Sequence, residues 1–280
     1  MKLIESKVEV IEQQPGLEGV YKQIELAGRT CYKSEDKITE DSAKGFVDRM
    51  IKSKHGAMLE HGTVYLKITG KRNEEKQCWE FPIDSYYHGF MRNKYSQVRE
   101  IWADDVVTYY ITTNLRVIIE NGFTESLKYI CEPTEHHEKR ITARFTCDRG
   151  VSHEIVRHRV MSFAQESTRY CNYSKDKFGC ELTFIKPSWY NKTLENKHGG
   201  FEKFLEDAQS LYISLLDQGY LPQEARACLP NALKTEIVVT GFESDWEHFF
   251  SLRSPKYGAQ GVHPDMAKLA DELYEKVKQC

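Results

Sequence analysis

The segment 157–170 concentrates side chains that bind anions. It reads Arg-His-Arg, then seven further residues, then Ser-Thr-Arg-Tyr, so three guanidinium groups, an imidazole and a hydroxyl lie within fourteen residues. Guanidinium groups are always charged and present fixed forks of donors, so such a cluster repels itself unless an anion binds within it. The segment therefore predicts a site for phosphate or for an anionic heterocycle, carried by a cofactor, a substrate or a nucleic acid.

The overall composition makes this local concentration of charge informative. The 280 residues are 29% charged and 40% hydrophobic, which is typical of a globular protein with one large domain or two small ones. The net charge is −3, which does not favour non-specific binding to nucleic acid. Any anion site must therefore come from a local arrangement such as the segment 157–170.

The cysteines and the apolar runs indicate a cytoplasmic protein. The eight cysteines form no CxxC pair, and the N-terminus has no secretory signal, so we expect free thiols, including Cys171 and Cys180. No apolar run approaches the roughly 20 residues that cross a bilayer, so we expect no membrane partner. The His136-His137 pair has no metal-ligand spacing and is interpreted as part of a polar loop.

Hydrophobic periodicity predicts a mixture of helices and strands without regular βαβ alternation. Strands are expected at 3–11, 63–68, 106–112 and 141–147, and helices at 17–29, 40–53, 114–121, 201–216 and from Pro264 onwards. The stretches 71–105, 131–140 and 186–200 are interpreted as loop-rich or polar connections. This order favours an α+β fold with a mainly antiparallel sheet.

Three of these elements must position the charged residues. After a turn at 148–150, a short helix delivers Arg157, His158 and Arg159 at its end. A proline-initiated helix carries Arg226. The capping-box sequence Ser-Asp-Trp-Glu at 244–247 opens a further helix that runs to Arg253.

Glycine-rich phosphate loops are absent from the sequence, since there is neither GxGxxG after a strand nor GxxxxGK[ST]. A bound nucleotide must therefore be held by side chains, and arginines grip phosphate bidentately. The alternative is a solvated helix end, but His158, Ser162 and Gln165 are interleaved with the arginines, which favours a site.

The segment 157–167 resembles the signature of flavin-dependent thymidylate synthases. The extended pattern also matches, at Ser162, Gln165, Ser167, Arg169 and Tyr170. Further similarity lies at His55, Glu60-His61, the Ala-Arg-Ala-Cys-Leu-Pro segment 225–230 and Leu252-Arg253. These matches cover the chain except about 70–140, so the resemblance implies a single domain over 1–280 with an insertion there.

The resemblance implies an enzyme that reductively methylates dUMP to dTMP. The carbon comes from methylenetetrahydrofolate, and FAD reduced by NADPH supplies the hydride, without an enzyme nucleophile on the uracil ring. It also implies a homotetramer whose active sites form between subunits. The rival hypothesis is a nucleic-acid-binding protein that uses the same arginines on a phosphate backbone, although the sequence lacks a basic stripe.

The resemblance assigns roles to individual residues. The residues expected to bind FAD are His55, Arg157, His158, Arg159, Gln165 and His248. The residues expected to bind dUMP are Glu154, Arg157, Gln165, Glu166, Ser167, Thr168, Arg169, Arg226 and Arg253. Arg253 is the expected catalytic residue, because a fixed cation against the uracil favours its N3-deprotonated, electron-rich form.

Five positions depart from the family pattern. Glu154 stands where a glutamine is common and Gln165 where a glutamate is common; the other departures are at Cys31, Ala164 and His248. A carboxylate near phosphate must be protonated or paired, and Arg157 is the expected partner of Glu154. The move of the charge from 165 to 154 is consistent with one coupled exchange.

Overall fold

Strands and helices of the chain alternate irregularly in a computed structural model that describes residues 1–76, 78–81, 86–175, 178–190 and 200–278. The strands are β1 (Lys2–Ile4), β2 (Lys7–Ile11), β3 (Thr63–Asn73), β4 (Cys78–Glu80), β5 (Gln97–Ala103), β6 (Val106–Asn114), β7 (Arg140–Asp148), β8 (Ser162–Gln165), β9 (Thr183–Ile185) and β10 (Lys234–Phe242). The helices are α1 (Gly16–Tyr32), α2 (Ser42–Lys52), α3 (Gly56–Leu59), α4 (Tyr86–Met91), α5 (Leu115–Glu120), α6 (Arg149–Ile155), α7 (Gly200–Asp217), α8 (Pro222–Ala225), α9 (Glu243–Arg253) and α10 (Pro264–Lys278).

Four antiparallel strands in the order β2-β7-β10-β8 form sheet A, which carries the arginine segment. One face of this sheet packs against α9 and α10, and Phe145, Trp246, Phe249 and Leu269 meet there with at most 1% of their surface exposed. Each such side chain contributes about 1.5–3 kcal/mol by its burial. The ladder places Ile237 of β10 opposite Gln165 of β8, which fixes where the segment after β8 begins.

A second antiparallel sheet, sheet B, has the order β4-β3-β6-β5. The expectation of a loop-rich stretch at 71–105 is therefore wrong, because β3 extends to Asn73 and both β4 and β5 lie within it. β5 lies at the edge of the sheet, where charged side chains such as Arg99 and Glu100 remain in water. These charges obscure the alternation that marks a strand.

The observed combination of helices with mainly antiparallel sheets confirms the α+β class. Only β1 and β9 pair in parallel, in a two-stranded ribbon beside α7 within the described ranges. Instead of one strand at 3–11, the chain forms β1 and β2, separated by Glu5 and Ser6. Of the connection expected at 186–200, residues 191–199 lie outside the described part of the chain, as does Cys280.

Local caps decide where the helices near the arginine segment begin. Asp148 is the N-cap of α6, and its carboxylate accepts from the backbone N–H of Val151 at 2.8 Å. The expected capping box at 244–247 is wrong, because α9 already begins at Glu243 and the Asp245 carboxylate accepts from the N–H of Phe242 at 2.9 Å. The Ser244 hydroxyl donates instead to Glu138 across the chain.

Candidate active site

The Arg-His-Arg sequence follows α6 directly and presents its three side chains differently. Arg157 and Arg159 are exposed, whereas His158 has only 6% of its surface exposed and lies against the ring of Phe249, with centroids 4.8 Å apart. Within the described ranges, no hydrogen bond or ion pair holds the guanidinium group of either arginine. Two fixed cations are therefore free to bind an anion next to a buried imidazole.

Arg253, the last residue of α9, joins His158 to Glu154. Its Nε donates to Nε2 of His158 at 3.1 Å, and its Nη1 lies 2.5 Å from Oε2 of Glu154. The expectation that Arg157 pairs with Glu154 is therefore wrong, because Arg253, 99 residues further along the chain, pairs with Glu154 instead. The three residues form what we call the Arg253 group.

The imidazole of His158 is neutral near pH 7. Burial, together with the neighbouring charges of Arg253 and His248, lowers the pKa of His158 to about 4. Because Nε2 accepts from Arg253, the proton of the neutral ring lies on Nδ1. A neutral acceptor at this position fixes the plane of the guanidinium without competing with it for an anion.

Two further histidines were expected at the flavin. His248 lies exposed on α9, and its ring centroid is 6.4 Å from that of His158, so it borders the Arg253 group. His55 is half-buried at the N-terminus of α3. Since α3 lies beside β8, His55 is on an element next to the strand that leads into the arginine segment.

Residues 167–169, which follow β8, lie beside the end of α1. The Ser167 N–H donates to the carbonyl of Cys31 at 2.9 Å, and the Ser167 hydroxyl accepts from the N–H of Arg169 at 3.3 Å. Arg226 donates from Nη1 to Oγ1 of Thr168 at 3.3 Å. Arg169 and Arg226 are both exposed, so this second cluster, the Ser167 group, combines two hydroxyls with two cations.

A glutamine that the sequence did not single out orients one of these cations. The Nε of Arg169 donates to Oε1 of Gln223, on α8, at 3.1 Å. The guanidinium carbon of Arg169 also lies 5.4 Å from the centroid of the Tyr170 ring. Arg169 is therefore held from two sides while its remaining donors face solvent.

Gln165 and Glu166 point into the protein. The amide nitrogen of Gln165 donates to the hydroxyls of Ser152 at 2.8 Å and Thr235 at 3.2 Å. The Glu166 side chain is 1% exposed; Tyr173 donates to one carboxylate oxygen at 2.8 Å, and Lys234 lies 2.9 Å from the other. Both residues therefore brace the segment between β8 and the Ser167 group.

A partly buried ion-pair network joins β10 to the end of α1. Glu236 is 2.6 Å from Lys234 and 2.8 Å from Lys33, the residue that ends α1. Burial alone raises the pKa of Glu236, but the two lysines outweigh it and hold this pKa at about 2. Lys234 and Glu236 alternate on β10, which places them on one face, although the sequence does not show which strand they meet.

The two groups stay separate within the protomer. Within the described ranges, no hydrogen bond or ion pair joins the Arg253 group to the Ser167 group. They are connected through the fold instead, because Ser152 on α6 is hydrogen-bonded to Gln165 on β8.

A metal centre is not indicated for the ranges that the structure describes. They contain no group of three or more His, Cys, Asp or Glu side chains that could hold an ion. The seven cysteines in these ranges are not joined in disulfide bonds. No described helix combines the length and apolar character that a membrane crossing requires.

Comparison with known proteins identifies relatives of this chain. A family described as "Thymidylate synthase complementing protein" matches residues 130–280, which include every expected site residue except His55. The chain is 35% identical over 169 residues to the flavin-dependent thymidylate synthase of Pyrococcus furiosus, covering 55% of this chain and 68% of that protein. It is 36% identical over 130 residues to that of Geobacter sulfurreducens, covering 46% of this chain and 52%, about half, of that protein.

A solved structure also aligns with this chain. The UMP/dUMP methylase PolB from Streptomyces cacaoi, bound with 5-Br dUMP, aligns with 100% of this chain and 93% of its own, at 16% identity and a TM-score of 0.45.

The family match over more than half of the chain defines the class of protein. The chain belongs to the family of thymidylate synthase complementing proteins, the flavin-dependent thymidylate synthases. This membership confirms the family recognised from the Arg-His-Arg signature and places the chain among enzymes rather than nucleic-acid-binding proteins.

Proposed function

We propose that the protein converts dUMP to dTMP, taking the carbon from methylenetetrahydrofolate and the hydride from FAD that NADPH has reduced. Family membership supports this reaction, because the relatives from Pyrococcus furiosus and Geobacter sulfurreducens are both named flavin-dependent thymidylate synthases. The observation that best supports the proposal is the Arg253 group, in which the guanidinium of Arg253 and the carboxylate of Glu154 lie side by side.

Residues of this chain fit FAD. Arg157 and Arg159 are exposed cations without a partner among the described residues, which suits a pyrophosphate. His248 lies on α9 near His158, the residue between these arginines, and His55 lies at the start of the helix beside β8. The flavin supplies a hydride when it is bound. Gln165 would support the segment from inside the protein, since its amide nitrogen already donates to the hydroxyl of Ser152.

The Ser167 group fits the phosphate of dUMP. Ser167, Thr168, Arg169 and Arg226 supply hydroxyl and guanidinium donors on the surface, and charge-assisted hydrogen bonds of this kind hold phosphate strongly. Among the described residues, no histidine or carboxylate is hydrogen-bonded to the Ser167 hydroxyl, which supports a binding role over a nucleophilic one. We further propose that Glu166 positions this segment through Tyr173 and Lys234 instead of contacting the nucleotide.

The Arg253 group fits the uracil ring. The imide edge of uracil has an N3–H donor between two carbonyl acceptors. Arg253 can donate to a carbonyl, while the Glu154 carboxylate beside it can accept from N3–H. Arg253 would then stabilise negative charge that develops on the carbonyl oxygen during the reaction, while N3 stays protonated, in place of the N3-deprotonated form expected from the sequence.

We also propose a homotetramer in which subunits share active sites. The separation of the Arg253 group from the Ser167 group supports this arrangement, because the Arg253 group of one subunit can then lie next to the Ser167 group of its neighbour. The native mass of the purified protein tests this arrangement, and a monomer with full activity would exclude it.

Two measurements test the reaction. The purified protein is expected to show the absorbance of oxidised flavin and to form dTMP from dUMP only when methylenetetrahydrofolate and NADPH are both present. Arg144→Met provides a matched control, because Arg144 pairs with Glu9 on sheet A, away from both groups. The proposal would be contradicted if the purified protein were colourless and took up no FAD. For this outcome to count, Arg144→Met and the unchanged chain must fold alike.

A further inference from the structure

A cavity of about 340 Å³ lies between sheets A and B, apart from the candidate active site. Its walls come from β2 and β7 of sheet A, β3 of sheet B, and the segment 130–133. Apolar side chains such as Ile11, Val64 and Ile141 line it, and none of its described wall residues belongs to the Arg253 group or the Ser167 group. Its volume is in the range of small-molecule sites, about 300–1,000 Å³.

Arg140 is the residue that gives this cavity its chemistry. Its Nη1 donates to the carbonyl of Glu60 at 3.0 Å and to the hydroxyl of Thr63 at 3.3 Å. Its Nε is shielded from solvent and has no hydrogen-bond partner, and no carboxylate forms an ion pair with it among the described residues. Burial lowers the pKa of Arg140 to about 10, so the guanidinium remains charged at pH 7.

Arg140 is partly buried, and the carboxylates of Glu60 and Asp245 act on it from beyond ion-pair distance, whereas proteins normally pair such a cation directly. The other charged residues of the wall, Glu12, Glu132 and Lys139, are exposed, so water solvates them and they do not compensate for Arg140. Among the described residues, the guanidinium therefore has no directly paired anion, and Arg140 belongs to the wall of an apolar space of fragment size.

We propose that this cavity binds a small amphipathic carboxylate, with its carboxylate on Arg140 and its apolar body between the two sheets. A guanidinium binds a carboxylate with good geometry, and the apolar walls accept a ring or a short alkyl chain. The site is additional to the nucleotide and flavin sites, and it clamps sheet A to sheet B when occupied.

The binding of 4-phenylbutyrate, with 4-phenylbutyramide as a neutral probe of equal size, tests the proposal by calorimetric titration. The acid is expected to bind and the amide to bind at least about tenfold more weakly, which is the effect of losing a charged hydrogen bond. No binding of the acid, or equal binding of acid and amide, would overturn the proposal.

Two variants locate the binding. Arg140→Met is expected to weaken acid binding about tenfold or more, and Ile11→Trp is expected to abolish it by filling the cavity while Arg140 stays in place. Ile11→Trp keeps the test decisive if Arg140→Met does not fold. Arg144→Met, on the same strand as Arg140, controls for a general loss of positive charge and should leave the affinity unchanged. Equal affinity in Ile11→Trp and the unchanged protein would place the ligand elsewhere and overturn the assignment.

Discussion

Arg253 at the end of α9 and Glu154 near the end of α6 lie 2.5 Å apart although 99 residues separate them in the chain. Each removes the other's net charge from a partly exposed surface, with side chains 21% and 29% exposed. A carboxylate at 154 therefore does not repel an approaching nucleotide, because the arginine beside it balances the charge. The departure from the family pattern at 154 is thus compatible with an anionic substrate.

Arg253→Ala is expected to lower dTMP formation by at least about 10²- to 10³-fold, which is the effect of removing one donor to a developing negative charge. FAD should remain bound, since Arg157 and Arg159 are untouched. Steady-state kinetics with the flavin absorbance as a second measurement checks this. Glu154→Gln is the companion variant, expected to remain active because an amide oxygen can still accept from N3–H. Near-normal turnover by Arg253→Ala would refute the uracil assignment.

His158 is expected to titrate near pH 4 in the folded protein, as measured from the NMR signal of its ring proton. The pKa of His158 is lower in the folded protein than in the unfolded chain. As pH falls below 6.5, the unfolded chain therefore takes up a proton first, and the contribution of His158 to the free energy of unfolding is lost between about pH 6.5 and pH 4. Arg253→Gln should raise the pKa of His158 by removing a neighbouring cation, whereas Arg144→Gln should not. An unchanged midpoint in Arg253→Gln would mean that burial alone sets the value.

Ser167→Ala is expected to raise the KM for dUMP about 10- to 100-fold while kcat is retained, because one hydrogen bond to a charged phosphate is lost. Ser210→Ala serves as the control, since that hydroxyl only donates to a carbonyl within α7. Complete loss of turnover with normal dUMP affinity would instead restore Ser167 as a candidate nucleophile.

Glu236→Gln is expected to destabilise the protein at pH 7 but not at pH 2. The folded pKa of about 2 lies below the ordinary value of 4.5, so the stabilisation is present above about pH 4.5 and is lost as pH falls towards 2. The difference corresponds to on the order of 3 kcal/mol at about 1.4 kcal/mol per pKa unit. Urea unfolding at several pH values measures it. Glu272→Gln, in an exposed pair with Lys276, should have little effect at any pH.

Local pattern was sufficient to predict part of this fold. The stripe along 201–216 and the alternation at 63–68 predict α7 and β3, because each pattern depends only on neighbours in sequence. β10 was not predicted, although it lies at the interior of sheet A. It is buried on both faces, so it carries the continuous apolar run 237–239 instead of an alternating pattern.

The candidate site, like the fold, was only partly predictable from the sequence. The Arg-His-Arg signature and Arg226 could be recognised from sequence, since their residue types and order carry the signal. The partner of Arg253 and the network of Lys33, Lys234 and Glu236 could not, because each depends on which elements meet in three dimensions. The sequence predicted that Glu154 pairs with its near neighbour Arg157, whereas in the folded chain Glu154 pairs with the distant Arg253.

The contact of Lys234 with Glu166 also bears on how the protein is made. The lysine is synthesised 68 residues after the carboxylate that it neutralises, a delay of roughly 3 to 14 seconds at about 5–20 residues per second. During that interval Glu166 has neither Lys234 nor the β10 backbone carbonyl to which its own N–H donates. The nascent chain therefore carries the complete Arg-His-Arg signature well before these contacts of Glu166 can form, and they arise only when the C-terminal third is being translated.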